Sequence, residues 1–348
     1  MTDLLWRPAA RAEGHVVACI GETMVALAPT DGIALEQTTC LALDVAGAES
    51  NVAMYLADHA VRSRWVSRLG DDVFGRRVLH RVRAAGVDVT AVQTDPDRPT
   101  GLLVKDPDAA GTRVSYYRRG SAASAMGPDM LASPALRAAT LWHLTGITPA
   151  LSDSCRELAM AAFCDKPADR PATSFDVNYR PSLWREPPRE LLRTLAQAAD
   201  VVFVGLDEAQ SLWGEELREA TDVRAYLPDP RILIVKDGAT AATAFCADTS
   251  VTVPSLKVDI VESVGAGDAF AAGFLAGLLK GQSAERCLQT GHVTAAAALR
   301  VTSDHGPLPD PGEYRRLLER SPAPQVNALA QGEVTCDPQS VAAGALGQ

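Results

Sequence analysis

"ESVGAGDAFAAGFLAGLL", Glu262 to Leu279, sets one carboxylate at the head of an otherwise uncharged run of small and apolar residues. Gly265 and Gly267 flank Ala266, and Asp268 follows at once. The uncharged run reads as a helix, and the glycines as the loop that opens it. An aspartate there can simply cap the helix. A glycine loop at a helix N-terminus also gathers backbone N–H groups around an anion. If that anion is a phosphate, Asp268 stands beside it as a base. Both readings stay open on this stretch alone.

Upstream, strand and helix patterns alternate. "VVACIGETMVAL" from Val16 reads as a strand, and "GAESNVAMYLADHA" as a helix opened by polar residues. "SRWVSRLG" is strand-like. Asp71 to Gly86 is a helix, with Phe74, Val78 and Val82 recurring every fourth residue and Gly86 to end it. "TLWHLTGIT", "ATSFDVN", "DVVFVG" and "RILIVKDG" are further strands between helical stretches. This order predicts an α/β fold with a mainly parallel sheet covered on both faces. Residues 22–46 and 99–119 break the rhythm: each resembles a β-hairpin, with turns at "PTDG" and "DPDAAG". Two such pairs would form a small β-hairpin lid over the core. Residues 1–15 read as an N-terminal extension, 16–320 as the folded unit, and the Pro-, Ala-, Gly- and Gln-rich 321–348 as a loosely ordered tail.

Composition narrows the class. With 348 residues, 47% of them hydrophobic and 22% charged, the chain can bury a large core. No uninterrupted apolar run is long enough to span a membrane, and the start lacks a signal-peptide pattern. Seven scattered cysteines without a Cys-x-x-Cys pair fit free thiols in a reducing, cytoplasmic setting. A net charge of −10 argues against nucleic acid as a partner, though local arginines can still hold a small anion. The six histidines show no ligand spacing. No GxxxxGK[ST] occurs, and "GAGDAF" lacks the third glycine of a dinucleotide fingerprint.

The glycine-acid stretch, "GAESNVA" at 47–53 and the core-plus-hairpins layout together resemble the ribokinase-like (PfkB) sugar kinases over roughly residues 16–310. "FDVNYRPSLW" (175–184) and "SDHGPLP" (303–309) are most similar to the 2-keto-3-deoxygluconate kinase branch. The resemblance implies a ribokinase-like three-layer core that transfers phosphate from ATP, with magnesium and room for a monovalent cation, to a small sugar or sugar acid. Such transfer depends chiefly on in-line positioning and charge neutralisation. Amides of Gly265, Ala266 and Gly267 would form the anion hole, and Asp268 would take the proton from the attacking hydroxyl.

Further roles follow from the same resemblance. Gly47 and Asn51 would lie beside the sugar, where a bare turn and helix cap is the ordinary alternative. Strand alternation sends Tyr116 and Arg118 to one face, and Arg118 would reach a sugar acid's carboxylate. An exposed basic edge is the alternative there. Arg180 could grip a carboxylate or phosphate, and Asn178 would lie near the nucleotide phosphates. Asp304 would touch substrate or remain a solvated loop acid. Lys236 and Gly238 would border the nucleotide. Glu208 would serve magnesium through water. Departures from the family pattern are Gly205 for Asn, Ala241 for Gly, Glu262-Ser263 for Asp-Thr, and Leu103 where the keto-acid branch often has Tyr. The leading reading is 6-phosphorylation of 2-keto-3-deoxygluconate. Fructokinase or ribokinase activity is the alternative, and a non-catalytic sugar or nucleotide sensor the reading from another class. Assembly into a homo-oligomer through the lid is compatible with this layout.

Overall fold

Val201 and Phe203 enter one apolar cluster, while Val202 and Val204 between them enter another. Ile232 and Ile234 likewise part from Leu233 and Val235. Period-two alternation with both faces apolar means a sheet buried on both sides. The computed structural model describes residues 6–10, 14–108, 111–165, 170–320 and 324–328.

The chain runs through β1 (Val16–Ile20), β2 (Met24–Pro29), β3 (Leu41–Ala46), α1 (Ala48–Asp58), β4 (Arg62–Val66), β5 (Arg68–Gly70), α2 (Val73–Ala84), β6 (Gln93–Asp95), β7 (Leu102–Asp108) and β8 (Gly111–Tyr117). It continues through α3 (Pro134–Arg137), β9 (Leu141–Thr145), α4 (Asp153–Cys164), β10 (Ala172–Asp176), α5 (Arg189–Ala198), β11 (Val201–Gly205), α6 (Leu206–Trp213), α7 (Ala220–Tyr226) and β12 (Ile232–Asp237). β13 (Ala241–Cys246), β14 (Thr249–Pro254), α8 (Ala266–Leu279), α9 (Ala284–Ala298), α10 (Pro311–Arg320) and β15 (Gln325–Ala328) complete it.

The main sheet has the order β15-β14-β13-β12-β11-β10-β9-β1-β4, parallel from β4 to β12. Residues of α1, α2, α8 and α9 pack into one cluster, and those of α4 to α7 into the other. This is the three-layer ribokinase-like core. α2 shows how local sequence sets an element. Asp72 caps it by accepting from the Gly75 N–H at 2.7 Å. Val78 and Val82 are buried, and Gly86 follows at φ +85°, a left-handed angle natural to glycine. Among the described residues no helix is long and apolar enough to cross a membrane.

A separate four-stranded sheet, β3-β2-β7-β8, is built from the two hairpin segments. Three local readings need correction. "VVACIGETMVAL" is two strands in different sheets, because the chain turns at Gly21–Thr23, where a side chain on Gly21 would collide with the Glu49 carboxyl. "SRWVSRLG" likewise divides, β4 joining the main sheet while β5 pairs with β6. In the 321–348 tail residues 324–328 include an edge strand, β15, which pairs antiparallel with β14 through backbone bonds with Val326 59% exposed, while the rest of that tail lies outside the described residues. Main-chain pairing without burial leaves no hydrophobic pattern to read.

Candidate active site

The cleft between the hairpin sheet and the carboxyl ends of the core strands encloses about 380 Å³. Gly47, Asn51, Tyr116, Arg118, Asn178, Arg180, Glu208, Lys236, Gly265, Gly267, Asp268 and Asp304 all line it. Ala266 and Gly238 do not. Ala266 is the first residue of α8, and Gly238 lies at φ +46° in the β12–β13 turn.

Two helix N-termini meet at the cleft. α1 begins after Gly47, which packs so closely on Glu22 and Thr23 that a Cβ would not fit. α8 begins after Gly265, whose φ of +83° favours glycine and whose added Cβ would lie 2.6 Å from the Asp304 carbonyl oxygen. The Ala266 N–H turns back to the Ser263 carbonyl at 3.4 Å. The N–H groups of Gly267 and Asp268 have no acceptor among the described residues. Free donors at a helix start suit an anion.

Asp268 sits in the first turn of this helix, 8% exposed. Burial pushes its carboxyl up to about 8, against the opposing hydrogen bond from Asn51. Asn51 Nδ2 donates to one carboxylate oxygen at 2.9 Å and Asn178 Nδ2 to the other at 3.4 Å. The Oδ1 atoms of both asparagines are buried without a partner among the described residues. Asn178 holds a φ of +39°, a strained value for a non-glycine residue, which turns its side chain into the cleft.

The cations of the cleft are all paired. Lys236 donates to Asp176 at 3.1 Å, and Arg180 lies 3.4 Å from Glu208. Burial alone would lower the Lys236 ammonium, but Asp176 and Glu208 outweigh it and raise it. Burial raises Glu208, with Lys236 opposing. From the lid, Arg118 Nε donates to Glu22 at 2.6 Å, and Glu22 also accepts from the Ser121 hydroxyl. Arg118 lies 5.6 Å from the centre of the Tyr116 ring, so the two share a face as alternation requires. Lys105 donates to Asp304 at 3.1 Å. Glu49 is buried against the amide and hydroxyl of Thr145 and the hydroxyl of Thr148, and burial raises it despite those bonds. Glu22, Glu49, Lys105 and Asp176 carry no role in the sequence reading. The available signal was weak: Lys105 stands two positions after Leu103, hence on the same strand face.

Among the described residues no cluster of His, Cys, Asp or Glu forms a metal cage. The oxygens of Asp176, Glu208 and Asn178 are the hard donors magnesium takes. Lys236 and Arg180 already engage both carboxylates, so the donor set fits an ion carried through water and phosphate oxygens better than one held directly.

Residues 15–311 match the pfkB family of carbohydrate kinases. A 2-dehydro-3-deoxygluconokinase (2-dehydro and 2-keto name the same acid) from Thermoproteus tenax is 33% identical over 309 residues, covering 87% of this chain and 94% of the relative. Fructokinase-1 of Zea mays is 27% identical over 319 residues, covering 88% and 98%. The crystal structure of a PfkB protein from Polaromonas sp. JS666 superposes with a TM-score of 0.75 at 32% identity, covering 83% of this chain and 97% of that one.

Proposed function

The chain belongs to the pfkB family and is a carbohydrate kinase, and on that premise we propose that it moves the γ-phosphoryl group of ATP to the 6-hydroxyl of 2-keto-3-deoxygluconate. One observation carries the chemistry: a buried carboxyl, Asp268, beside the unpaired amides of a glycine-opened helix. In its ionised form Asp268 accepts the hydroxyl proton while that oxygen forms its bond to the γ-phosphorus and the bond to the ADP oxygen breaks. The amides of the Gly265–Gly267 loop receive the charge that accumulates on the phosphoryl oxygens. Lys236 and Arg180 flank the polyphosphate, with Asn178 near it and Gly238 on its nucleotide side. Glu208 would hold magnesium through water, and the ion would supply neutralisation of phosphate charge. Gly47, Asn51 and Asp304 bind sugar hydroxyls.

The choice of an acid substrate rests on Arg118 with Tyr116, and on the greater identity to the deoxygluconokinase than to the fructokinase. Glu22 engages Nε and Nη2 of Arg118, so the outer guanidinium donors remain for a carboxylate. The same pairing favours a second reading. A cleft whose cations are already neutralised, with apolar Leu103 on its wall, also suits a neutral sugar such as fructose. Coupled ATP turnover across a panel of sugars and sugar acids decides between them. A kcat/KM for fructose or ribose far above that for any sugar acid would overturn the substrate assignment.

A further inference from the structure

Lys105 stands on the lid, and its charge ends in the core. Alternation along β7 turns Leu103 and Lys105 toward the cleft, and both are buried. The Lys105 ammonium lies 3.1 Å from Asp304 Oδ1 and 3.5 Å from the Thr302 carbonyl. The two side chains are 9% and 6% exposed, so the pair is shielded from water. Asp304 belongs to the segment between α9 and α10, on the core side. This ion pair therefore bridges lid and core at the sugar end of the cleft.

We propose that Lys105 is a positioning residue for sugar binding: while the lid covers the cleft, it keeps Asp304 ionised and oriented toward the substrate hydroxyls. The inference rests on the reading of Asp304 as a sugar contact. A buried carboxyl drifts toward its neutral acid unless a cation or donors hold it. The groups that face Asp304 are few. Lys105 comes from β7, Asp44 from β3, Asn51 and the Tyr55 hydroxyl from α1, and Asp268 from α8. Its neighbour His305 is turned to Asp58 and Arg81. Burial raises Asp304 and Lys105 is the chief opposing influence, while Asp44 pushes the same way as burial and Asn51 opposes it. An ionised carboxylate accepts from two hydroxyls at once, whereas the neutral acid spends one oxygen as a donor. Because Lys105 rides on the lid, hydroxyl recognition becomes complete only when the lid lies over the sugar.

The test uses Lys105→Met and Lys105→Arg in the full chain. A carboxyl-carbon NMR titration, with Asp304 assigned through Asp304→Asn, reads ionisation without turnover. The Met variant should raise the Asp304 midpoint by about one to two pH units, and the Arg variant should leave it near wild type. In kinetics the Met variant should raise the KM for sugar about ten- to a hundredfold near neutral pH. That ratio to wild type should shrink as pH climbs past the Asp304 midpoint, and the shared titration of Asp268 cancels from it. The kcat and the KM for ATP should move less than about threefold. An unmoved midpoint, or a KM ratio flat with pH, would overturn the proposal. Should the Met variant not fold, Lys105→Gln carries the same measurements. Wild type acting on fructose and no sugar acid would remove the substrate reading alone, and the KM ratio is then taken on fructose. Wild type inactive on every sugar would remove the reading of the site, and the NMR midpoint still decides whether Lys105 holds Asp304 ionised.

Discussion

Asp268→Asn should make the enzyme nearly inactive and, at alkaline pH, more stable. The folded-state pKa of about 8 lies roughly four units above the carboxyl's ordinary 3.8. The native protein therefore holds a proton that the unfolded chain has lost between those values. Asp268 contributes no penalty below about pH 4, and its cost grows as pH rises until it levels off above about 8. At about 1.36 kcal/mol per unit the ceiling is roughly 5–6 kcal/mol. Water entry and relaxation reduce such penalties, so about 3 kcal/mol is expected at pH 8.5. For a protein of this size that is a rise in melting temperature of about 4 °C over wild type. The amide fits the site once Asn51 or Asn178 turns its own side-chain amide over, so that an Oδ1 with no partner among the described residues accepts from the new NH₂. Calorimetry from pH 4.5 to 9 should show the two proteins converging on acidification. In parallel kcat should fall about 10²- to 10⁴-fold with the KM for ATP unchanged. Wild-type kcat/KM for sugar should rise with pH and level off above about 8, where the base is ionised. Near-normal turnover in the variant, or a variant no more stable than wild type at pH 8.5, would refute the reasoning.

Other substitutions separate binding from folding. Arg118→Ala should raise the KM for the sugar acid about ten- to a hundredfold and lower stability, because Glu22 is left buried and unpaired. Adding Glu22→Gln should restore the melting temperature and leave the KM high; recovery of both would assign Arg118 to structure alone. Gly265→Ala meets a left-handed φ and the Asp304 carbonyl, so both activity and melting temperature should fall. Gly267→Ala has its nearest neighbour, Lys236 Nζ, at 3.5 Å, so it should fold normally and lose kcat as its methyl group obstructs the phosphate. Equal stability losses in the two glycine variants would contradict that distinction. Removal of residues 321–348 should leave kcat and both KM values within about twofold and lower the melting temperature a few degrees through loss of β15. An inactive truncated enzyme would show that the tail serves the cleft.

The readable part of this molecule is the part that repeats or caps. Apolar strands announced the parallel sheet, and Gly86 marked the end of α2, whose cap, Asp72, lies one residue past the Asp71 start given by the pattern. Buried charges were illegible for a definite reason. Glu22 meets Arg118 at a separation of 96 residues, Lys105 meets Asp304 at 199, and Asp176 meets Lys236 at 60. A charge whose partner is that distant reads as a solvated side chain until the fold brings them together. Arg118 shows the consequence: its type and alternation were apparent, its prior engagement by Glu22 was not. The β13–β14 hairpin was missed for another reason. "ATAAT" at 239–243 is too small and too mixed to carry a strand pattern, and its pairing is supplied by β12.

The order in which the ribosome delivers these elements gives the packing of α1 on α8 a further meaning. From Asp268 to its end α8 is buried on every side, and much of α1 is buried with it. α8 emerges roughly two hundred residues after α1, which at 5–20 residues per second is about 10–40 seconds of synthesis. The core strands can dock in sequence as they appear, since β9 to β14 are successive neighbours in the sheet. Through that interval the layer that α8 completes stands open, its apolar lining exposed to chaperones and to neighbouring nascent chains. The last third of the chain thus closes the hydrophobic seam and delivers the phosphoryl-transfer loop in the same event, so a stalled or truncated translation product is sticky as well as inactive.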